Sequence, residues 1–135
     1  MKSKFPSLEW LQSFHEKLNS DKQYRRIAAK WEGDICVVVE PDDNFEDRLL
    51  YYWDLWHGQC NRVAILDSID DEDPAFIITS SYGNFTQVLQ GKLDPMQAML
   101  TRKLKVKGNM AVMMRSVPVV LDFVRCAREI TDEIM

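Results

Sequence analysis

Four short runs of β-branched and aromatic residues follow one another at residues 35–39, 49–56, 62–66 and 76–79, and they limit the chain to folds built on a sheet. Turn residues bound them, as in Pro41-Asp42-Asp43-Asn44 and His57-Gly58-Gln59. The gaps are short, and a parallel pair needs a crossover of about a dozen residues or more, so antiparallel hairpins are expected throughout. Leu49, Tyr51, Trp53 and Leu55 alternate onto one face, as do Val63 with Ile65 and Phe76 with Ile78, leaving one apolar sheet face to be covered.

Helical spacing supplies the cover. Leu8, Trp10, Leu11, Phe14 and Leu18 share a helix face, with Ser7 placed to cap it. A second helix starts at Asp21, buries Tyr24, Ile27, Ala28 and Trp31, and stops near Gly33. Residues 84–90 and 94–101 also read as helices, the latter with Asp94 as cap and Pro95 at its first position. Residues 103–107 alternate strictly and form a fifth strand, free to join the sheet parallel to a neighbour because helices precede it. Asn109 caps a helix through Met114, Pro118 interrupts or restarts it, and the last helix presents Val120, Phe123, Val124, Ala127, Ile130 and Ile134. The expectation is one α+β domain over 1–135, with helices on one face of the sheet and residues 1–20 as an N-terminal helical extension.

Composition excludes several classes of function. The net charge of −4 and pI near 5.2 argue against a general nucleic-acid binder, which needs a basic field to displace counterions from phosphates. Cys36, Cys60 and Cys126 are odd in number and unpatterned, so reduced thiols are expected. The first residues lack a signal-type apolar segment, no run approaches a membrane span of about 18 residues, and Glu133-Ile134-Met135 is no peroxisomal address. The expected compartment is the cytosol.

Residues 91–115 hold five of the seven methionines. Methionine is unbranched and adaptable, so this segment fits the wall of a deformable apolar cavity, although it fits ordinary core packing as well. Catalytic chemistry is harder to assemble. His15 and His57 stand apart from any metal-ligand spacing, and no metal or cofactor is expected. Ser80 and Ser81 lack a nucleophile context and read as turn residues, and Cys60 reads as a strand-start residue. The acidic run from Asp67 to Asp73 has no calcium-loop pattern and reads as a solvated hairpin loop. Gly83-Asn84 and Gly108-Asn109 precede helices and read as caps. Trp53 and Trp56 serve core or dimer packing before ligand contact, and a second copy of the chain is a candidate partner. Lys103, Lys105 and Lys107 oppose Leu104 and Val106; they either protect an edge strand or form a basic mouth, with Lys92 and Arg102, for an anionic head group.

The order of elements, with Gly91-Lys92-Leu93-Asp94-Pro95 and Leu104-Lys105-Val106-Lys107-Gly108-Asn109-Met110, resembles the sterol carrier protein 2 family from about Tyr24 to about Ile130. The resemblance implies a five-stranded, mainly antiparallel sheet with helices packed on one face enclosing an apolar tunnel. It implies a non-catalytic carrier of fatty acid, fatty acyl-coenzyme A, sterol or a similar amphiphile, with transient membrane contact. At matching positions the tunnel would be lined by Phe85, Val88, Leu89, Met96, Met99, Leu100, Met110, Met113, Met114, Val117 and Leu121. The alternative is an interaction or dimerisation module with a filled core and no lipid ligand.

Overall fold

Nearly every helix begins where a side chain can accept from the free amide groups of its first turn. The computed structural model describes residues 2–134; Met1 and Met135, included in the expected domain, lie outside the described residues. Ser7 accepts from Trp10 N at 3.0 Å and opens α1 (Leu8–Ser20), and Asp21 accepts from Tyr24 N at 2.9 Å and opens α2 (Lys22–Ile27). Ser81, Asp94 and Asn109 cap α3 (Tyr82–Leu89), α4 (Pro95–Leu100) and α5 (Met110–Arg115) in the same way. The cap of α3 is Ser81, so Gly83 and Asn84 fall inside that helix rather than before it. Pro118 sits in the first turn of α6 (Val117–Ile130), where its missing amide costs nothing. Ile134, expected on the apolar face of that helix, lies beyond its end.

The main sheet has the order β4-β3-β2-β5-β6, from β2 (Ile35–Glu40), β3 (Leu49–Trp56), β4 (Gln59–Ile65), β5 (Phe76–Ser81) and β6 (Lys105–Lys107). Strands β2, β3 and β4 form the expected hairpins, the second through a tight His57-Gly58 turn in which both residues have positive φ. The fourth run does not continue the meander. Strand β5 pairs parallel to β2, with Val37 opposite Ile78, and β6 then adds antiparallel to β5. The acidic run is therefore a crossover rather than a hairpin loop. It carries a 3-10 helix (Ile69–Asp71) with a reciprocal Ser68–Asp71 capping box, and Leu66 and Ile69 pack on Cys36, Val38, Leu50 and Tyr52 on the far face of the sheet. Asp34 anchors its end, accepting from Tyr52 Oη at 2.6 Å and from Ala75 N at 2.7 Å.

The near face meets the helices. Trp10, Phe14, Tyr51 and Trp53 are buried together in edge-on and stacked contacts, and full burial of each such ring contributes about 1.5–3 kcal/mol. Helix α1 is thus part of the core. A short parallel ribbon not foreseen from the sequence, β1 (Ser3–Phe5) beside β7 (Thr131–Ile134), joins the two described ends.

Arg125 ties three helices together. It donates to Asp21 at 2.6 Å, to Asp122 at 2.8 Å and to Glu129 at 2.7 Å, while Lys17 reaches Asp21 and Glu129. Hydrogen bonding from Arg125 holds the Asp21 carboxyl well below its ordinary range, and Lys17 lowers Glu129. Lowered carboxyl pKa values stabilise the fold fully above the ordinary carboxylate range, and that contribution is lost as pH falls through it toward the folded-state values. Arg125→Met should cost about 3 kcal/mol in urea unfolding at pH 7, because Asp122 is left buried without its cation, and the difference from wild type should narrow progressively below about pH 4.

A second expectation concerns the turn glycines. A Cβ on Gly58 would stand 2.6 Å from the Arg25 carbonyl oxygen, whereas a Cβ on Gly91, at a similar positive φ, would meet nothing within 4 Å. Gly91→Ala should cost only the left-handed backbone penalty of about 1–2 kcal/mol, and Gly58→Ala should cost measurably more in the same unfolding experiment.

Candidate functional site

Between the near face of the sheet and the helices lies a cavity of about 70 Å³ whose lining holds no acid, amine, imidazole or thiol among the described residues. The sheet contributes Ile35, Val37, Leu55 and Ile78, and the chain around α2 contributes Tyr24 and Trp31. The opposite wall is Phe85 and Val88 from α3, Pro95 and Met99 from α4, Leu104, Met113 from α5, and Val119, Val120, Phe123 and Val124 from α6. The indole of Trp31 is turned away to donate to Gly33 O at 2.8 Å, so it presents carbon to the cavity. A site of this kind offers apolar contact.

The expected lining residues divide into three groups. Phe85, Val88, Met99 and Met113 line the cavity. Leu89 is buried in the same core without lining it, and Met96 and Val117 are half-buried. Leu100, Met110, Met114 and Leu121 lie on the surface, 68%, 42%, 48% and 42% exposed. Leu100 and Met110 border an outer groove of about 390 Å³ with Arg102, Lys105 and Val106. Met99 and Leu104 belong to both the groove and the cavity, and so form the partition between them. The sheet side of the lining was readable from the alternation that groups Leu55 and Ile78 on one face.

The basic residues stand apart from the cavity. Val106 pairs with Ile78 on the cavity side, so Lys105 and Lys107, opposite Thr79 and Ile77, face a groove of about 550 Å³ on the far side of the sheet with Arg48, Ser68 and Asp70. Lys105, on the edge strand, borders both grooves, and Lys103 is exposed in the preceding loop. The two sheet tryptophans also separate: Trp53 is fully buried among rings, and Trp56 is 49% exposed and stacked on His57.

The remaining reactive groups have structural partners. Burial pushes the Cys60 and Cys126 thiols up to about 12 and raises Cys36 as well. Cys60 also locks β4 to α1, its amide and carbonyl bonded to Asn19 at 2.8 and 2.9 Å. His57 pairs with Glu32 at 2.6 Å on the surface, and Ser80 donates to the Ser81 carbonyl at 2.9 Å. Asp21, Asp122 and Cys126 converge within 4.8 Å, but the Arg125 guanidinium already supplies the positive charge there.

A sequence profile of the SCP-2 sterol transfer family matches residues 11–120. The chain belongs to the SCP-2 sterol transfer family. Its architecture is similar to a crystal structure of sterol carrier protein 2, at a TM-score of 0.83 and 29% identity, covering 93% of this chain and 98% of that one. It is similar to the same degree, 0.83 and 28% over 93% of this chain and 89% of the other, to a conserved hypothetical protein of Thermus thermophilus described as possibly sterol carrier protein. A sterol carrier protein domain of Helicoverpa armigera shares the fold, at 0.63 and 21% identity over 92% and 89%. No curated protein gives a significant match. Membership in this family makes the chain a lipid-binding or lipid-transfer domain, and no helix among the described residues is long and apolar enough to cross a membrane.

Thiol accessibility provides a direct check on the burial of the three cysteines. A thiol-specific reagent at pH 8 should label none of the three cysteines in the folded protein within the time in which it labels all three in denaturant, because buried neutral thiols supply almost no thiolate.

Proposed function

We propose that this chain is a non-catalytic cytoplasmic carrier, a single lipid-binding domain that holds the tail of a fatty acid, fatty acyl-coenzyme A, sterol or similar amphiphile in the cavity between α3, α4, α5, α6 and the sheet. The supporting observation is the almost wholly apolar lining of a cavity between the sheet and the helices, where close packing leaves few voids larger than a water molecule. Each methylene moved from water into such a site contributes about 0.8 kcal/mol without polar precision, which favours broad specificity.

The volume sets a condition on entry. Sites for drug-sized ligands occupy about 300–1,000 Å³, so a cavity of about 70 Å³ accepts a long tail only by widening. The partition of Met99 and Leu104 is the natural place, since the outer groove lies directly beyond it. Met99 and Met113 change rotamer at low cost, and this gives those two of the five methionines of residues 91–115 a function. The absence of an acid, amine, imidazole or thiol from the lining, and burial of Cys60 as a neutral thiol, speak for carriage over chemistry.

Mass spectrometry of the protein as purified, under native and then denaturing conditions, should show a stoichiometric lipid of one of these classes. Val120→Phe, which projects bulk into the cavity, should weaken binding of a fluorescent fatty acid at least tenfold while the folded circular dichroism spectrum is retained. A protein that carries no lipid and ignores the probe would refute the carrier reading and favour an interaction module.

A further inference from the structure

We propose that the Tyr24 hydroxyl anchors the ligand: it donates a hydrogen bond to an uncharged hydroxyl or carbonyl oxygen at the inner end of the bound lipid, and so selects lipids that carry such an oxygen; this rests on the carrier reading. Tyr24 stands in the first turn of α2, its amide held by the Asp21 cap at 2.9 Å, and its side chain is fully buried and lines the cavity.

Two lining side chains carry a nitrogen or an oxygen. Trp31 uses its indole N–H on Gly33 O, whereas Tyr24 Oη has no hydrogen-bond partner among the described residues. Trp53 Nε1 is the one wholly enclosed side-chain nitrogen or oxygen left without a partner among them. Tyr24 Oη is unpartnered but not wholly enclosed, and in a buried residue the open space it meets is the cavity. Phenylalanine would fill the same volume without burying a hydroxyl, which is unfavourable when nothing bonds it. Water does not supply the partner: a buried water needs about two to four polar contacts, and this lining offers a single free hydroxyl. Burial raises the phenol above its ordinary pKa, with Cys60, Cys126 and Asp122 adding to the effect, so the group is a neutral donor at physiological pH.

The rest of the lining sets the charge of the acceptor. No cation stands there to offset a carboxylate, and an unpaired charge in apolar surroundings is disfavoured by far more than one hydrogen bond contributes. An uncharged oxygen is desolvated more easily and accepts from Tyr24. Arg102 and Lys105 border the outer groove, so an anionic head is met there, and the tail that passes inward has nothing to offer the hydroxyl. Tyr24 borders the cavity and not the groove, and only the part of a ligand that has passed Met99 and Leu104 meets it.

Displacement of a fluorescent fatty acid measures the affinity for decanol and for decanoate at pH 8, in the wild type and in Tyr24→Phe. The variant should bind decanol about fivefold to tenfold more weakly, as expected for one lost hydrogen bond, and decanoate within about twofold of the wild type. The infrared carbonyl stretch of bound methyl octyl ketone should lie lower in the wild type than in the variant, because a hydrogen bond to the oxygen weakens the C=O bond. Lipid-free Tyr24→Phe should melt no lower than the wild type, since the hydroxyl it loses bonds nothing in the protein. Equal change for decanol and decanoate, a carbonyl stretch that does not differ, or a lowered melting temperature would overturn the proposal. If decanol, decanoate and the fluorescent probe all fail to bind the wild type, the carrier reading falls and the role of Tyr24 with it. If they bind and the variant does not discriminate between them, the carrier reading stands and the role of Tyr24 alone is refuted.

Discussion

Strand β2 is the piece on which the rest of this fold depends. It bonds antiparallel to β3 on one side and parallel to β5 on the other, so the hairpin half of the sheet and the half that carries β6 meet only through it. The parallel bond forces the chain to cross from β4 at one edge to β5, two strands beyond its hairpin partner. The crossover takes the far face, where Leu66 and Ile69 find Val38 and Tyr52, and this leaves the near face to the helices. Every side chain in the apolar run of β2 is consequently enclosed from one side or the other, and the strand reads as Ile35-Cys36-Val37-Val38-Val39 without a polar break.

The two faces then diverge in chemistry. On the far face the crossover is short and polar, held by Asp34 and by the ion pair of Arg62 with Glu72. On the near face, helices of unequal length cannot fill the space above a twisted sheet as closely as they fill the aromatic corner around Trp10 and Trp53. Where α3, α4, α5 and α6 converge, the space is lined by Val, Met, Phe and Pro95, with no acid, amine, imidazole or thiol. The polar glue sits at the other end of the helical layer, around Arg125. Rigid packing and charge pairing hold one end, and short helices with adaptable side chains bound the cavity at the other.

Much of this arrangement was legible in the sequence. Ser7, Asp94 and Asn109 cap helices because short oxygen-bearing side chains before an apolar periodic run have few other uses, and all three do so here, while Asp21, read as the start of its helix, is the cap just before it. The alternation of the strands identified the correct inner face, from Tyr51 and Trp53 to Ile78. The parallel pairing of β5 was hidden because residues 67–73 of its crossover are Asp, Ser and Glu with a single Ile, which reads as solvated loop. Ile134 was misplaced because helical periodicity does not show where a helix ends; Thr131 leaves helical geometry and starts β7 instead. The family motif places Phe85, Val88, Met99 and Met113 around the cavity, but spacing alone could not separate them from Leu100, Met110 and Met114, which the short helices turn outward.

The ribbon of β1 and β7 has a mechanical consequence. Its strands run parallel, with Ser3 beside Thr131 and Phe5 beside Ile134, so tension applied to the two described ends draws the strands past each other along their length. The hydrogen bonds between them lie across that direction and are loaded together, in shear, whereas an antiparallel closure would peel open one bond at a time. A clamp of this kind stands in series before the aromatic core, and force on the chain must break it before Trp10 can be pulled from its neighbours.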